Sequence, residues 1–343
     1  MKGLLEEGIK KGAFPGVLLI AGSLEKDLIN FTLGWAELKP EKRKLSSETK
    51  FDLASLTKVI VTTTLVFHLL ERGELRLDDT AKRFWNEFHH GEVTIRQLLT
   101  HTSGLPSHQL LANSGGSLEN LWKLNLENNP GEIVNYSCMG FILLGKIVEK
   151  VMGKDLNQGA KEVIFNPLGM KDSCFNPKEG PFAATELGNE FEQKKGAQPR
   201  EGIMRGVVHD GNAFLMGGIA GNAGLFGTGK DIARFSRMIL AGGEGILSPS
   251  TVEMLFTLQT PPHQEKRSFG WCLPGPYSSG GDLLSKKAIG HTGFTGTSLW
   301  IDREKSQFVV LLTNRIHPRV DSNDHIRLRP LIHNRAWAEM GKI

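Results

Sequence analysis

With 343 residues, 39% hydrophobic and 23% charged, the chain has the make-up of an ordinary globular protein, long enough for one large domain or two lobes. Its formal charge of +4 is small for this length, and the basic residues are scattered apart from short clusters at 42–44 and 315–329 that read as solvated faces, so composition makes no case for nucleic acid. Three cysteines, Cys138, Cys174 and Cys272, give no disulfide framework; acidic residues interrupt the N-terminal stretch where a signal peptide needs an apolar core, and no apolar run reaches membrane-spanning length, so a soluble cytoplasmic protein is expected.

Residues 1–12 read as a short amphipathic helix. Between 14 and 34, the runs GVLLIAGS and LINFTLGWA flank the polar SLEKD, a hairpin signal. A charged loop at 37–50 leads to FDLASLTKVIVTTTLVFHLL, residues 51–70. There a short apolar approach precedes Ser55, and Val59, Thr63, Val66, Leu69 and Leu70 recur at near-helical spacing until Gly73. ELRLDDTAKRF opens the next element. A short helix at 92–99, with Thr94 as its cap, is followed by the turn THTSGLP.

Residues 108–130 are polar and irregular, with a candidate helix at 117–126. YSCMGFILLGKIVEKVM, from Tyr136, reads as a turn entering an amphipathic helix that Gly153 stops. Asn166-Pro167-Leu168-Gly169 is a turn, and 176–212 reads as a long surface loop. The glycine-dense stretch 213–229 lacks the Lys-Ser/Thr or Gly-x-Gly pattern of a phosphate loop, so tight backbone packing is expected there. Helices are expected at 231–241 and 248–258. The last third is strand-like, in SFGWCL, the segment around His291, GTSLWID and FVVLLTN, before a closing helix at 328–341.

This order predicts an α+β fold. A mainly antiparallel sheet flanked by helices takes 1–80 and 230–343, a mostly helical lobe takes 81–229, and the active site lies in the cleft between them.

Ser55 and Lys58 carry the chemistry. Three apart at a helix start, they share a face. A serine hydroxyl is a weak nucleophile until a neighbour takes its proton, and a lysine kept neutral by burial or nearby positive charge could do so. The S-x-x-K spacing also occurs at Ser23/Lys26, in a turn, and at Ser47/Lys50, in a polar loop. Only Ser55 opens a long apolar helix, though by itself it could equally be that helix's cap.

Two further motifs join it: Asn135-Tyr136-Ser137-Cys138 and Gly290-His291-Thr292-Gly293-Phe294-Thr295-Gly296. In this order the three resemble the serine β-lactamase and penicillin-binding protein superfamily, and its class C-like branch most, which also holds esterases, carboxypeptidases and D-amino-acid peptidases. Flanking text such as VTIRQLLTHTSGLP and GGIAGNAGLFGTGKDIARF extends the resemblance over roughly 14–315. It implies that Ser55 forms an acyl-enzyme, that Lys58 accepts or shuttles its proton, and that Tyr136, whose pKa can fall beside positive charge, serves as base and then acid. It implies an oxyanion hole from the backbone N–H groups of Ser55 and Phe294. Cys138, His291, Thr292 and Gly293 would meet substrate, with His291 opposite Tyr136 helping to hold a substrate carboxylate or the tyrosine proton.

Two departures bear on specificity. Cys138 stands where the family often has Asn or Asp, and His291 stands where K-T-G has lysine, so efficient β-lactam hydrolysis is not expected. Cys138 could also be simply a small buried residue. The expected protein is a serine hydrolase of a small-molecule or peptide ester or amide, using no cofactor or metal. A non-catalytic binding or regulatory protein on the same fold is the alternative. A metallohydrolase is disfavoured because no H-E-x-x-H or H-x-H-x-D spacing occurs. The oligomeric state is left open.

Overall fold

The two runs expected to pair as a hairpin lie inside the principal sheet. The computed structural model describes residues 1–111 and 119–342. In it, β1 (Gly16–Ser23) pairs antiparallel with β2 (Asp27–Glu37). The short strands β3 (Arg43–Lys44), β4 (Phe51–Asp52), β5 (Cys174–Phe175) and β6 (Leu225–Gly227) follow, and then β7 (Ala288–Thr292), β8 (Ser298–Asp302) and β9 (Gln307–Thr313). The six-stranded sheet has the order β3-β2-β1-β9-β8-β7, and a small sheet has the order β4-β6-β5.

Strand β1 is apolar from Gly16 to Gly22 because both its faces are covered. Leu18 and Ile20 enter the large core, while Val17, Leu19 and Ala21 enter a second core on the opposite face. The second core is closed by the helices Lys2–Lys10 and Asp324–Met340, which contribute Leu5, Ile332, Ala336 and Trp337. Leu5 and Ile332 each contribute roughly 1.5–3 kcal/mol by leaving water. The large core runs from the sheet through the helix Gly229–Leu240 into the helices of the middle of the chain.

Those middle helices follow their sequence signals. Thr94 closes a capping box with Gln97 at the start of Ile95–Leu99. Ser137 caps Cys138–Met152, and Gly153, with a left-handed φ of 64°, ends it. Ser248 caps Pro249–Leu255. A helix at Glu119–Trp122 covers part of the expected 117–126; residues 117 and 118 lie outside the described residues. No helix among the described residues is long and apolar enough to cross a membrane.

Three expectations need correction. The run after Ser55 is π-helical over Lys58–Thr63 before the α-helix Thr64–Glu71. SFGWCL is not a strand. Gly270 turns it at φ 76° and gives its N–H to the Leu99 carbonyl at 2.7 Å, leaving isolated bridges at Cys272. Residues 176–212 do not simply cross the surface. They bury Ala183, Ala184, Glu186, Asn189 and His209, and Glu186 meets His209 Nε2 at 2.8 Å.

Candidate active site

Strand β4 delivers the chain to Ser55 through Ala54, whose φ of +47° is strained for a residue with a Cβ. Asp52 fixes that turn. Its buried carboxylate accepts the backbone N–H groups of Ala54 at 2.9 Å and His209 at 2.8 Å, although burial pushes its pKa up. The hydroxyls of Thr295 and Thr297 donate to the carbonyls of Asp52 and Leu53 at 2.7 and 3.1 Å. The Ser55 turn is therefore tied to the segment that carries Phe294.

Lys58 is fully buried. Its ammonium donates to Ser55 Oγ at 3.0 Å, to the Asn222 carbonyl at 3.0 Å and to Cys138 Sγ at 3.5 Å. Three donors and three acceptors describe a protonated lysine. Burial alone would lower its pKa, but the neighbouring Cys138 and Tyr136 side chains outweigh it and hold Lys58 above its usual range. Burial therefore does not leave Lys58 neutral, the condition under which it could take the Ser55 proton directly.

Tyr136 interacts with both Lys58 and Ser55, and the Lys58 ammonium lies 5.0 Å from its ring centre. Its pKa is raised, because burial outweighs the pull of Lys58. The resting site therefore holds a phenol beside an ammonium, and the lowered tyrosine pKa expected from the sequence is corrected.

His101 positions that tyrosine. Its carbonyl accepts the Asn135 N–H at 2.8 Å and its Nδ1 accepts the Ser137 N–H at 3.0 Å, bracketing Tyr136 on both sides. Its ring lies 4.6 Å from the Tyr136 ring, centre to centre. The Arg267 guanidinium lies 5.1 Å from the same ring. Arg267 is buried, ties one nitrogen to Glu265 at 2.7 Å, and leaves Nε and Nη1 without a partner.

His291 ends up beside Tyr136, with ring centres 5.9 Å apart. It is buried, and burial, then Arg267 and Lys58, hold its pKa well below the usual histidine value. Nδ1 meets the Thr292 carbonyl at 2.8 Å and must donate, so the unpartnered Nε2 presents a lone pair. This neutral acceptor suits an incoming O–H or N–H and gives a carboxylate no counter-charge.

Gly293 has no room for a side chain: a Cβ there would come within 2.6 Å of the Leu53 carbonyl oxygen. That close approach brings Phe294 up to Ser55. Among the described residues, neither backbone N–H of this pair donates to another protein group. Ser55, Tyr136, Cys138, Phe294, His108 and Asp210 are among the walls of one cavity of about 280 Å³. Thr292, at the end of β7, is half-buried.

The family model described as beta-lactamase matches residues 1–333. The chain belongs to the β-lactamase family. It is similar to a protein of Escherichia coli O157:H7 named a D-alanyl-D-alanine carboxypeptidase, at 32% identity over 360 aligned positions, covering 90% of this chain and 80% of that protein. It is 30% identical to an N-acetylmuramyl-L-alanine amidase of Bacillus subtilis (strain 168), covering 94% of this chain and 82% of that protein. Among solved structures, EstCE1, a hydrolase with promiscuous acyltransferase activity, shares this β-lactamase-family fold at TM-score 0.77 and 20% identity, covering 97% of each chain.

The residues anticipated from motifs, Ser55, Lys58, Tyr136, Cys138, His291, Gly293 and Phe294, come together in this region of the fold. Asp52, His101, Asn222 and Arg267 were missed. For His101 a signal existed in THTSGLP, read only as a turn. Asn222 acts through its backbone carbonyl, which no side-chain motif announces.

Proposed function

We propose that this β-lactamase-family member is a serine hydrolase of the class C-like type, acylated on Ser55. The observation that carries the reading is the three-point seat of the Lys58 ammonium against Ser55 Oγ, with Tyr136 alongside and with Ser55 and Phe294, whose N–H groups have no protein acceptor, bordering one cavity.

The resting phenol must first lose its proton to solvent, and the phenolate is then stabilised by the Lys58 ammonium. It takes the Ser55 proton as Oγ attacks the substrate carbonyl. The developing oxyanion lies between the N–H groups of Ser55 and Phe294, where each such donor is worth about 10²–10³-fold in rate. Tyr136 returns the proton to the leaving alcohol or amine, and water repeats the sequence on the acyl-enzyme.

The substrate is an ester or amide. The relative named a D-alanyl-D-alanine carboxypeptidase supports a D-amino-acid-containing peptide, and the one named an N-acetylmuramyl-L-alanine amidase supports an amide. The thiol of Cys138 and the neutral His291 argue against β-lactams as good substrates.

A panel of p-nitrophenyl esters, D-amino-acid amides and nitrocefin, run with Ser55→Ala, tests this. Turnover of an ester or amide is expected, abolished in Ser55→Ala, with a fluorophosphonate adduct on the Ser55 peptide. An adduct on Ser23, Ser47 or Cys138 would reject the assignment.

A further inference from the structure

Part of the Ser55 cavity is built by the 176–212 segment, and the chemistry above makes no use of it. Glu192, Lys195 and Asp210 from this segment, with His108, border the same cavity as Ser55 and Phe294.

Asp210 is held in place relative to Ser55. The carboxylate of Asp52 accepts the N–H of Ala54, the residue before Ser55, at 2.9 Å, and the N–H of His209, the residue before Asp210, at 2.8 Å. One buried group thus anchors the chain immediately ahead of both. The segment that carries Asp210 is also tied to the one that carries His108. Asn212, fully buried, donates from Nδ2 to the Gln109 carbonyl and accepts the Leu111 N–H, each at 2.9 Å.

The charges on this part of the cavity do not cancel. Glu192 is already engaged: Oε1 pairs with Lys195 at 3.0 Å and Oε2 accepts the Gly211 N–H at 3.1 Å. His108 adds no charge, because burial, then Lys195, holds its pKa below the usual histidine value. Its Nε2 is buried without a partner.

Asp210 is half-buried, and its Oδ1 accepts the Ala213 N–H at 2.8 Å. Among the described residues, Oδ2 accepts from no protein group and no cation lies within ion-pair distance of it. Arg200 comes under its influence but commits its guanidinium to the carbonyls of Val208 and His209 at 2.7 and 2.5 Å. The Lys58 ammonium also feels Asp210, and it already sits on three acceptors. Asp210 therefore keeps capacity for one further cation in the space where an acyl group on Ser55 must lie. That space, about 280 Å³, is at the small end for ligand sites, so the acyl group is short.

We propose that Asp210 selects the substrate: the acyl group delivered to Ser55 carries a primary ammonium, which donates to Asp210 Oδ2, with His108 as a second acceptor. The substrate class is a short amino-acyl ester or amide whose amine is free. An acyl group blocked at nitrogen brings no charge to Asp210 and is discriminated against. This reading rests on Ser55 being the acylated residue.

Methyl esters and amides of D-alanine and β-alanine are compared with those of isobutyrate and butyrate, in which a methyl group replaces the ammonium. The assays run at about pH 6, where the amines are protonated. In wild type, kcat/KM is expected to be about tenfold higher for the ammonium-bearing member of at least one pair. Asp210→Asn keeps the Oδ1 acceptor for Ala213 and removes the charge. The preference should then fall to near unity, mainly through KM, and Asp210→Glu should restore part of it. Ligand-observed NMR on Ser55→Ala reads the same preference without turnover. D-alaninamide should saturate at about tenfold lower concentration than isobutyramide, and Ser55→Ala/Asp210→Asn should lose the difference. Amine-selective binding with no turnover by wild type would reject the hydrolase reading and keep the amine site. No amine preference in either readout overturns the proposal. So does a preference unchanged in Asp210→Asn, which would confine Asp210 to its influence on Lys58.

Discussion

On the Ser55 side of the cavity, the groups that hold the nucleophile are paired: Lys58 uses three donors and Asp52 accepts two backbone N–H groups. On the Tyr136 side, four buried nitrogens have no protein partner: His101 Nε2, His291 Nε2, and Nε and Nη1 of Arg267. The pairing around Lys58 holds Ser55 Oγ in place, although the buried side-chain amide of Asn222 beside it is itself without a partner. An unsaturated wall keeps hydrogen-bonding capacity in reserve, for water in the free protein and for whatever displaces that water. The paired groups around Lys58 and the unpaired ones around Tyr136 meet at Ser55, with which both side chains interact.

The comparison breaks first at the pair that joins the two walls. Lys58→Ala and Tyr136→Phe are each expected to lower kcat/KM on the best ester by about 10²–10⁴-fold. The double variant should be little worse than either single one, because Lys58 acts by stabilising the Tyr136 phenolate and has nothing to stabilise without it. Strictly multiplicative losses would mean that the walls work independently.

His101→Phe attacks the unsaturated wall from behind. The ring stack on Tyr136 survives, but the buried Ser137 N–H loses its acceptor. A loss of about 1–3 kcal/mol in unfolding free energy is expected by denaturant titration. An unchanged midpoint would remove His101 from the account of how Tyr136 is held.

Cys138→Asn sharpens the comparison at its boundary, since Cys138 accepts from Lys58 and borders the cavity. An amide there offers partners to an acylamido group that a thiol leaves unpaired, a difference of about 1–3 kcal/mol. The ratio of nitrocefin to short-ester turnover should rise by about five- to a hundredfold. A constant ratio would mean that position 138 does not meet substrate.

The smallest expected effect is that of Arg267→Met. A cation over the ring favours the phenolate, so removing it raises the Tyr136 pKa further. The alkaline-rising limb of kcat/KM should move to higher pH, with a loss of about fivefold at neutral pH that narrows in alkali. Arg267→Lys should recover part of it. A uniform loss at every pH would assign Arg267 to packing alone.

Local patterns made much of this readable beforehand. The hairpin at β1 and β2, the capped helix Cys138–Met152 and the Ser55/Lys58 spacing all rest on neighbours a few residues apart. The partners that complete the site come from far along the chain. Lys58 finds Asn222 164 positions away, and Ser137 finds His101 36 positions back. No periodicity encodes such pairings. SFGWCL misled for a related reason: its apolar residues are buried, with Phe269 and Trp271 fully so, but Gly270 bends the backbone between them. The Tyr136 pKa was misjudged because charge was weighed without the burial that opposes it.

The glycine-dense segment leaves a mechanical trace. A Cβ on Gly221 would come within 2.1 Å of the Phe141 carbonyl oxygen and 2.9 Å of Gly145 Cα. Main chain therefore rests on main chain where the Cys138–Met152 helix passes this segment. Elsewhere a side chain between two elements can change rotamer and absorb a displacement. Here nothing compressible intervenes, and the next residue, Asn222, is the one whose carbonyl grips Lys58. Thr62, on the nucleophile's own helix, also ties its hydroxyl to the Gly221 carbonyl at 2.7 Å. A displacement of the helix that begins beside Tyr136 would therefore press directly on the residue next to Asn222, whose carbonyl holds the lysine beside Ser55.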